Sequence, residues 1–161
     1  MMKNLIITLL LTGTALTASA QRAKKASLIF SEYLAAVSSG NPKAAASFFT
    51  EDGYMEAPYV AAFGMPAKFQ GHDVIEATMA GLLKLAPNFH FTGMKVVSET
   101  PNQLVAEYES EATTATGRPY KMQYIGVITL KNGKIFSHKE YLNTVPFVEA
   151  LFPNGLKDLI K

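Results

Sequence analysis

Glu140 and His138 are the two side chains of this sequence whose types and spacing invite acid–base chemistry. They lie two residues apart in the alternating segment 135–142, so as same-face neighbours on a strand they emerge about 6.5–7 Å apart, close enough to act on one small ligand. Phe136 and Leu142 fall on that face in the alternation. A carboxylate among apolar neighbours has its pKa raised by desolvation toward the range of a general base. The pattern also fits a carboxylate held by a tyrosine hydroxyl, or a surface glutamate at a strand end. His138 either shares the proton transfer or packs in a partly polar core. Tyr108 and Tyr124 fall on one side of neighbouring strands, where a phenol could polarise a carbonyl or stabilise an enolate, or simply pack with its hydroxyl satisfied.

The elements that must position these groups follow from local pattern. Residues 24–39 place Phe30, Tyr33, Leu34 and Val37 at helical spacing, with Gly40 as the stop. Asn41-Pro42 opens a second, short helix that ends before Asp52-Gly53, read as a turn. A brief strand is expected over 54–58, then an apolar loop over 59–66 that a solvent-facing connection would not need. Asp73 and Glu76 make a capping-box-like pair at the start of a third helix whose stripe is Ile75, Met79, Leu82 and Ala86, with Pro87 as its stop. The period then changes to two. Leu104, Ala106, Tyr108 and Ser110 alternate with Val105, Glu107, Glu109 and Glu111, and Tyr120, Met122, Tyr124, Gly126, Ile128 and Leu130 share one face. Asn132-Gly133 signals a type I′ hairpin. Asn143 or Thr144 can cap a last short helix carrying Phe147, Val148 and Leu151. Helices first and a meander of strands afterwards is an α+β order: a curved antiparallel sheet around the first helix, with a concave space on its inner face.

Composition narrows the function. At 161 residues there is room for one domain, and 48% hydrophobic against 17% charged residues makes a core rather than a disordered chain. Fifteen basic against thirteen acidic residues, with no run of either sign, gives no footprint for nucleic acid. The absence of cysteine removes disulfides and thiolate chemistry. Lys3, an apolar run over 5–11 and the small residues Ala18-Ser19-Ala20 have the order of a secretory signal peptide, so residues 1–20 are read as a leader cleaved after Ala20. The expectation is therefore a periplasmic or secreted protein with no membrane attachment after cleavage, and a single domain over 21–161. His72, His90 and His138 show no metal-ligand spacing, so no metal is expected. No phosphate loop or nucleophile elbow is present, and Gly117-Arg118-Pro119 reads as a turn.

Four stretches then carry a resemblance: SGNPKAAASFFTEDGYMEAP, FGMPAKFQGHDVI, TGRPYKMQYIGVITLKNGKIFSHKEYLN and VPFVEAL. In this order they resemble the SnoaL-like branch of the nuclear transport factor 2-like superfamily, which also houses ketosteroid isomerase, limonene epoxide hydrolase and phenazine-biosynthesis proteins. The resemblance implies a cystatin-like, cone-shaped α+β roll enclosing a pocket, proton-transfer chemistry without metal or organic cofactor, and a homodimer through the outer face of the sheet. It places Glu140 at the first acidic position of an R-D-Y-F-D-like strand end and Asn143, which cannot act as a base, at the second. It also puts a pocket polar group near Glu56, which is otherwise solvated. Tyr59 opens the apolar loop, and Phe63 and Met65 would line the pocket mouth or plug the core. The leading expectation is a site for a small, mostly apolar carbonyl or ring compound, with Glu140 and His138 catalytic and Glu56, Tyr59, Phe63, Met65, Tyr108, Tyr124 and Asn143 binding. The alternatives are a non-catalytic binding module and a protein-interaction domain on the same fold.

Overall fold

The computed structural model describes residues 24–159. The leader expected over residues 1–20 lies outside them. Helix α1 (Ala26–Ser38) buries Ala26, Ile29, Phe30, Tyr33, Leu34 and Val37, a stripe recurring every three to four residues. Gly40, at φ 72°, ends it. Asn41 then caps α2 (Pro42–Ser47), its side chain accepting from the Ala44 amide at 3.0 Å.

Strand β1 runs Phe49–Glu56, longer than the brief strand expected. Asp52-Gly53 is not a turn but part of this strand, at an irregularity where the register against its neighbour shifts between Phe49 and Tyr54. Gly53 is required there because a Cβ would lie 2.9 Å from the carbonyl oxygens of Ile135 and Thr50. The apolar stretch after it forms a 3-10 helix over Pro58–Phe63 with Val60 buried. A short strand absent from the sequence reading, β2 (Lys68–Gln70), pairs antiparallel with β1. Helix α3 (His72–Leu85) starts from Gly71 rather than from Asp73, with no side-chain cap. Asp73 sits instead in the first turn, where its charge still complements the helix dipole.

The remaining strands are β3 (His90–Thr100), β4 (Gln103–Thr113), β5 (Pro119–Lys131) and β6 (Lys134–Leu142). Asn132 and Gly133 both take positive φ, as a type I′ hairpin between β5 and β6 demands. The single curved, unclosed sheet has the order β2-β1-β6-β5-β4-β3. Every pairing is antiparallel except β1 with β6, which is parallel and corrects the expectation of a wholly antiparallel sheet. Alternation along β4 and β5 is as read: Leu104, Ala106, Tyr108 and Ser110 are buried, as are Tyr120, Met122, Tyr124, Ile128 and Leu130. Glu107, Glu109 and Glu111 face outward and meet Lys95, Gln123 and Lys121 respectively.

Strand β6 carries a second irregularity. Leu130 pairs with Ile135 but Thr129 pairs with Ser137, leaving Phe136 as an extra residue. Ile135, not Phe136, is therefore fully buried, and Phe136 packs on the Tyr54 ring at 5.7 Å. His138 returns to the buried face. Helix α1 crosses that face, its Phe30 ring set edge-on to Tyr108 and His138. Asn143 caps α4 (Thr144–Leu151), and Arg118 donates to the carbonyls of Glu149, Phe152 and Pro153, tying down the end of that helix. Among the described residues no helix is long and apolar enough to cross a membrane.

Gly53→Ala is expected to destabilise the protein by about 1–3 kcal/mol, since backbone rather than a flexible side chain stands in the way. Urea denaturation tests this, and an unchanged midpoint contradicts it.

Candidate functional site

A cavity of about 300 Å³ lies between the inner face of the sheet and the helices. Its wall takes Tyr33 from α1, Met79 and Leu82 from α3, and Phe147 from α4. The sheet contributes Met55, Phe91, Tyr120, Tyr124, His138 and Glu140. The lining is overwhelmingly apolar and aromatic, the setting in which a few polar groups fix a ligand's orientation.

Glu140 is the carboxylate in that setting. Its side chain is 15% exposed and lines the cavity, and Oε1 accepts a hydrogen bond from the Tyr108 hydroxyl at 2.7 Å. The same hydroxyl lies 2.8 Å from His138 Nε2. A single hydroxyl proton cannot serve both contacts. With Glu140 ionised, Tyr108 donates to the carboxylate and accepts from the Nε2–H of His138, which assigns the imidazole tautomer from the network. The result is a directed chain from His138 through Tyr108 to Glu140. His138 Nδ1 is then a buried lone pair with no partner.

Burial sets the charges. Desolvation pushes Glu140 up to about 7, opposed by the Tyr108 hydrogen bond, which favours the ionised form. It pushes His138 down to about 3, since the ring is fully enclosed with Phe30 and Tyr33 set edge-on at 5.1 and 5.5 Å. Although His138 Nε2 lies 3.5 Å from Glu140 Oε1, this is not an ion pair at neutral pH, because the imidazole is uncharged. Tyr108 is driven well above its ordinary value by burial and by the charge of Glu140, so it keeps its proton.

The contact from Tyr108 to Glu140 spans a strand. Tyr108 is on β4 and Glu140 on β6, with β5 between them, and the β5 residue paired with Glu140 is Gly126. A Cβ at Gly126 would stand 2.8 Å from Tyr108 Cε1 and 3.0 Å from its hydroxyl. Glycine thus leaves the space through which the phenol reaches across. Tyr124 stacks on Tyr108 at 5.0 Å between ring centroids and blocks its withdrawal.

Of the residues singled out from sequence, the structure brings Glu140, His138, Tyr108 and Tyr124 together on one face. Met65 lines the cavity, as does Glu56, which is 27% exposed and pairs with Lys139 at 3.4 Å. Tyr59, Phe63 and Asn143 do not join the site. The 3-10 helix leaves Tyr59 55% exposed against Tyr141 and turns Phe63 onto Phe152. Asn143 is spent on capping α4 through the Val145 amide. Sequence reasoning missed Tyr33 and Tyr120 as wall residues and Gly126 as the gap. Tyr33 was visible only as one position of a helical core stripe, and Tyr120 only by sharing the β5 face with Tyr124. Among the described residues no group of three His, Asp or Glu could hold a metal ion.

An unclosed, curved six-stranded sheet with helices packed on its inner face is the fold of nuclear transport factor 2-like and ketosteroid isomerase-like structures. Residues 30–138 match the SnoaL-like domain, and the chain belongs to that family. The match stops two residues short of Glu140. The uncharacterized protein YesE of Bacillus subtilis (strain 168) is 27% identical over 129 residues, covering 79% of this chain and 87% of that protein. The crystal structure of a putative isomerase from Bacillus subtilis superimposes with a TM-score of 0.71 at 24% identity, over 81% of this chain and 94% of that one. A Catenulispora acidiphila protein of ketosteroid isomerase-like fold, solved with trimethylamine, gives a TM-score of 0.65 at 18% identity, over 74% of this chain and 88% of that one. At these identities the two structural likenesses are likenesses of fold.

The raised pKa of Glu140 makes a prediction for stability. Between pH 4.5 and 7 the folded protein holds a proton on Glu140 that the unfolded chain releases, so this group stabilises the fold increasingly as pH falls through that window. His138 acts in the opposite sense, its contribution being lost as pH falls from 6.5 toward 3. The melting temperature of the wild type relative to Glu140→Gln isolates the first effect. This difference is expected to grow in favour of the wild type from pH 7.5 to pH 5, equivalent to about 2 kcal/mol. A difference that stays flat or shrinks contradicts the account.

Proposed function

We propose that this chain is an exported acid–base catalyst whose cavity binds a small, mostly apolar carbonyl or ring compound. Glu140 takes a proton from the carbon beside the carbonyl, the electron pair moves to the carbonyl oxygen, and the proton is returned to the same or another carbon. The observation that carries this reading is a largely buried carboxylate lining an apolar cavity, where desolvation pushes its pKa up to about 7, the range a general base needs at neutral pH. Tyr108 orients the carboxylate and His138 orients Tyr108. His138 is a positioning residue: it lines the cavity, but it is uncharged near neutrality and its Nε2 is engaged with the Tyr108 hydroxyl.

Solved structures of the same fold described as a putative isomerase and a putative polyketide cyclase are in keeping with this chemistry. The signal-like order of residues 1–20 is what supports export to the periplasm or medium. A homodimer through the outer face of the sheet completes the reading, supported by exposed Ile125 on that side, opposite the outward Glu107.

The test is solvent exchange. The purified protein is incubated in deuterium oxide with small aryl ketones and cyclic enones, and loss of the α-proton signal is followed by proton NMR. Exchange is expected to rise with pH through an apparent pKa near 7 and to fall by about 100-fold or more in Glu140→Gln. Exchange undiminished in that variant contradicts the mechanism. Binding without exchange in the wild type makes the chain a non-catalytic carrier of the same ligands.

A further inference from the structure

The chain from His138 to Glu140 leaves a second polar group in the cavity wall unused. Tyr120 and Tyr124 both line the cavity, and Ser110 of β4 lies sealed beside them at 1% exposure. The Tyr124 hydroxyl is 2.8 Å from Ser110 Oγ and 3.4 Å from the Tyr120 hydroxyl. Three hydroxyls carry three protons, yet these are the only two side-chain hydrogen-bonding contacts they make among the described residues. One proton is left over however the bonds run. Were it on Ser110, a donor would be buried with nothing to accept it, which is costly. With Ser110 donating to Tyr124, the spare proton falls to Tyr124 or Tyr120, the two members of the cluster whose residues line the cavity. Burial holds Tyr120 up at about 12 and raises Tyr124 as well, so neither phenol gives up its proton near neutral pH.

The two polar groups of the wall thus differ in sense. The His138–Tyr108–Glu140 chain ends in an acceptor, whereas the Ser110–Tyr124–Tyr120 cluster ends in a donor. Along β5, Tyr124 stands one inward position and Tyr120 three inward positions from Gly126, the residue paired with Glu140. Phe89 and Phe91 flank the donor end, their ring centroids 6.0 Å from Tyr120 and Tyr124 respectively. Such walls suit a flat ring.

We infer that the Tyr120–Tyr124 pair is an anchor for an acceptor oxygen of the ligand. The ligand class becomes a flat, mostly apolar molecule with a ketone or quinone oxygen at one end and its acidic hydrogen toward Glu140. The inference rests on the reading of the cavity as a ligand site, and it assigns to Tyr120, Tyr124 and Ser110 a recognition role separate from the proton transfer at Glu140.

The test uses two probes of nearly the same shape, 2-acetylnaphthalene and 2-ethylnaphthalene, with the wild type and the double variant Tyr120→Phe/Tyr124→Phe. Both rings are kept in the variant, so the wall keeps its packing. The ratio of ketone to hydrocarbon affinity is expected to fall by about threefold to tenfold in the variant, as loss of a neutral hydrogen bond requires. The carbonyl stretch of the ketone bound to the wild type, which needs no variant, is expected below its frequency in alkane solvent, and Tyr33→Phe is expected to leave it there. An unchanged affinity ratio, an alkane-like stretch, or a stretch that reverts in Tyr33→Phe overturns the anchor while leaving the cavity a ligand site. If neither probe binds, the cavity reading itself fails and the anchor falls with it.

Discussion

The hydrogen bond from Tyr108 to Glu140 is the contact on which the rest of the site depends. A carboxylate placed among Met, Phe and Tyr side chains would be too costly to keep there without a donor to hold it. Tyr108 supplies that donor from two strands away. For it to reach, three strands must bring their inward residues into one row, and the strand between must lack a side chain at the crossing. Gly126 meets the second condition. The shift that leaves Phe136 unpaired within β6 meets the first, because it returns His138 and Glu140 to the buried face after Ile135. A fold detail and a chemical detail are here the same fact.

Desolvation governs the electrostatics, and its opposite effects on acid and base explain why the cluster is not a salt bridge. The carboxyl is raised and the imidazole lowered, each by removal from water. Near neutrality the histidine is uncharged and serves only to orient a phenol, while the carboxyl is divided between its two states. The histidine's unpartnered Nδ1 is a cost of that arrangement. The aromatic enclosure by Phe30 and Tyr33 maintains it, tying helix α1 to the chemistry on β6.

Much of this was legible in the sequence where the signal is local. The helical stripe of α1, the Asn41-Pro42 start of α2, the alternation of β4 and β5 and the Asn132-Gly133 hairpin each follow from residues close in the chain. Glu140, His138, Tyr108 and Tyr124 followed because alternation assigns faces. What was not legible depends on pairing between distant segments. The parallel contact of β1 with β6 and the Gly53 irregularity need residues more than eighty positions apart. The role of Gly126 needs three strands in register, and Tyr33 reads as core packing until the cavity beside it is seen. Tyr59 and Phe63 were drawn toward the site by their apolar character alone, and the backbone of the 3-10 helix turns them away.

The central claim is that one buried carboxyl, held by a tyrosine and enclosed by apolar side chains, titrates near neutrality. Carbon-13 NMR of protein labelled at the glutamate side-chain carboxyl tests this directly, with Glu140→Gln to assign the signal. The account predicts one glutamate resonance with a midpoint near pH 7 that is absent from the variant. A spectrum in which every glutamate carboxyl is fully ionised by pH 6 would contradict it.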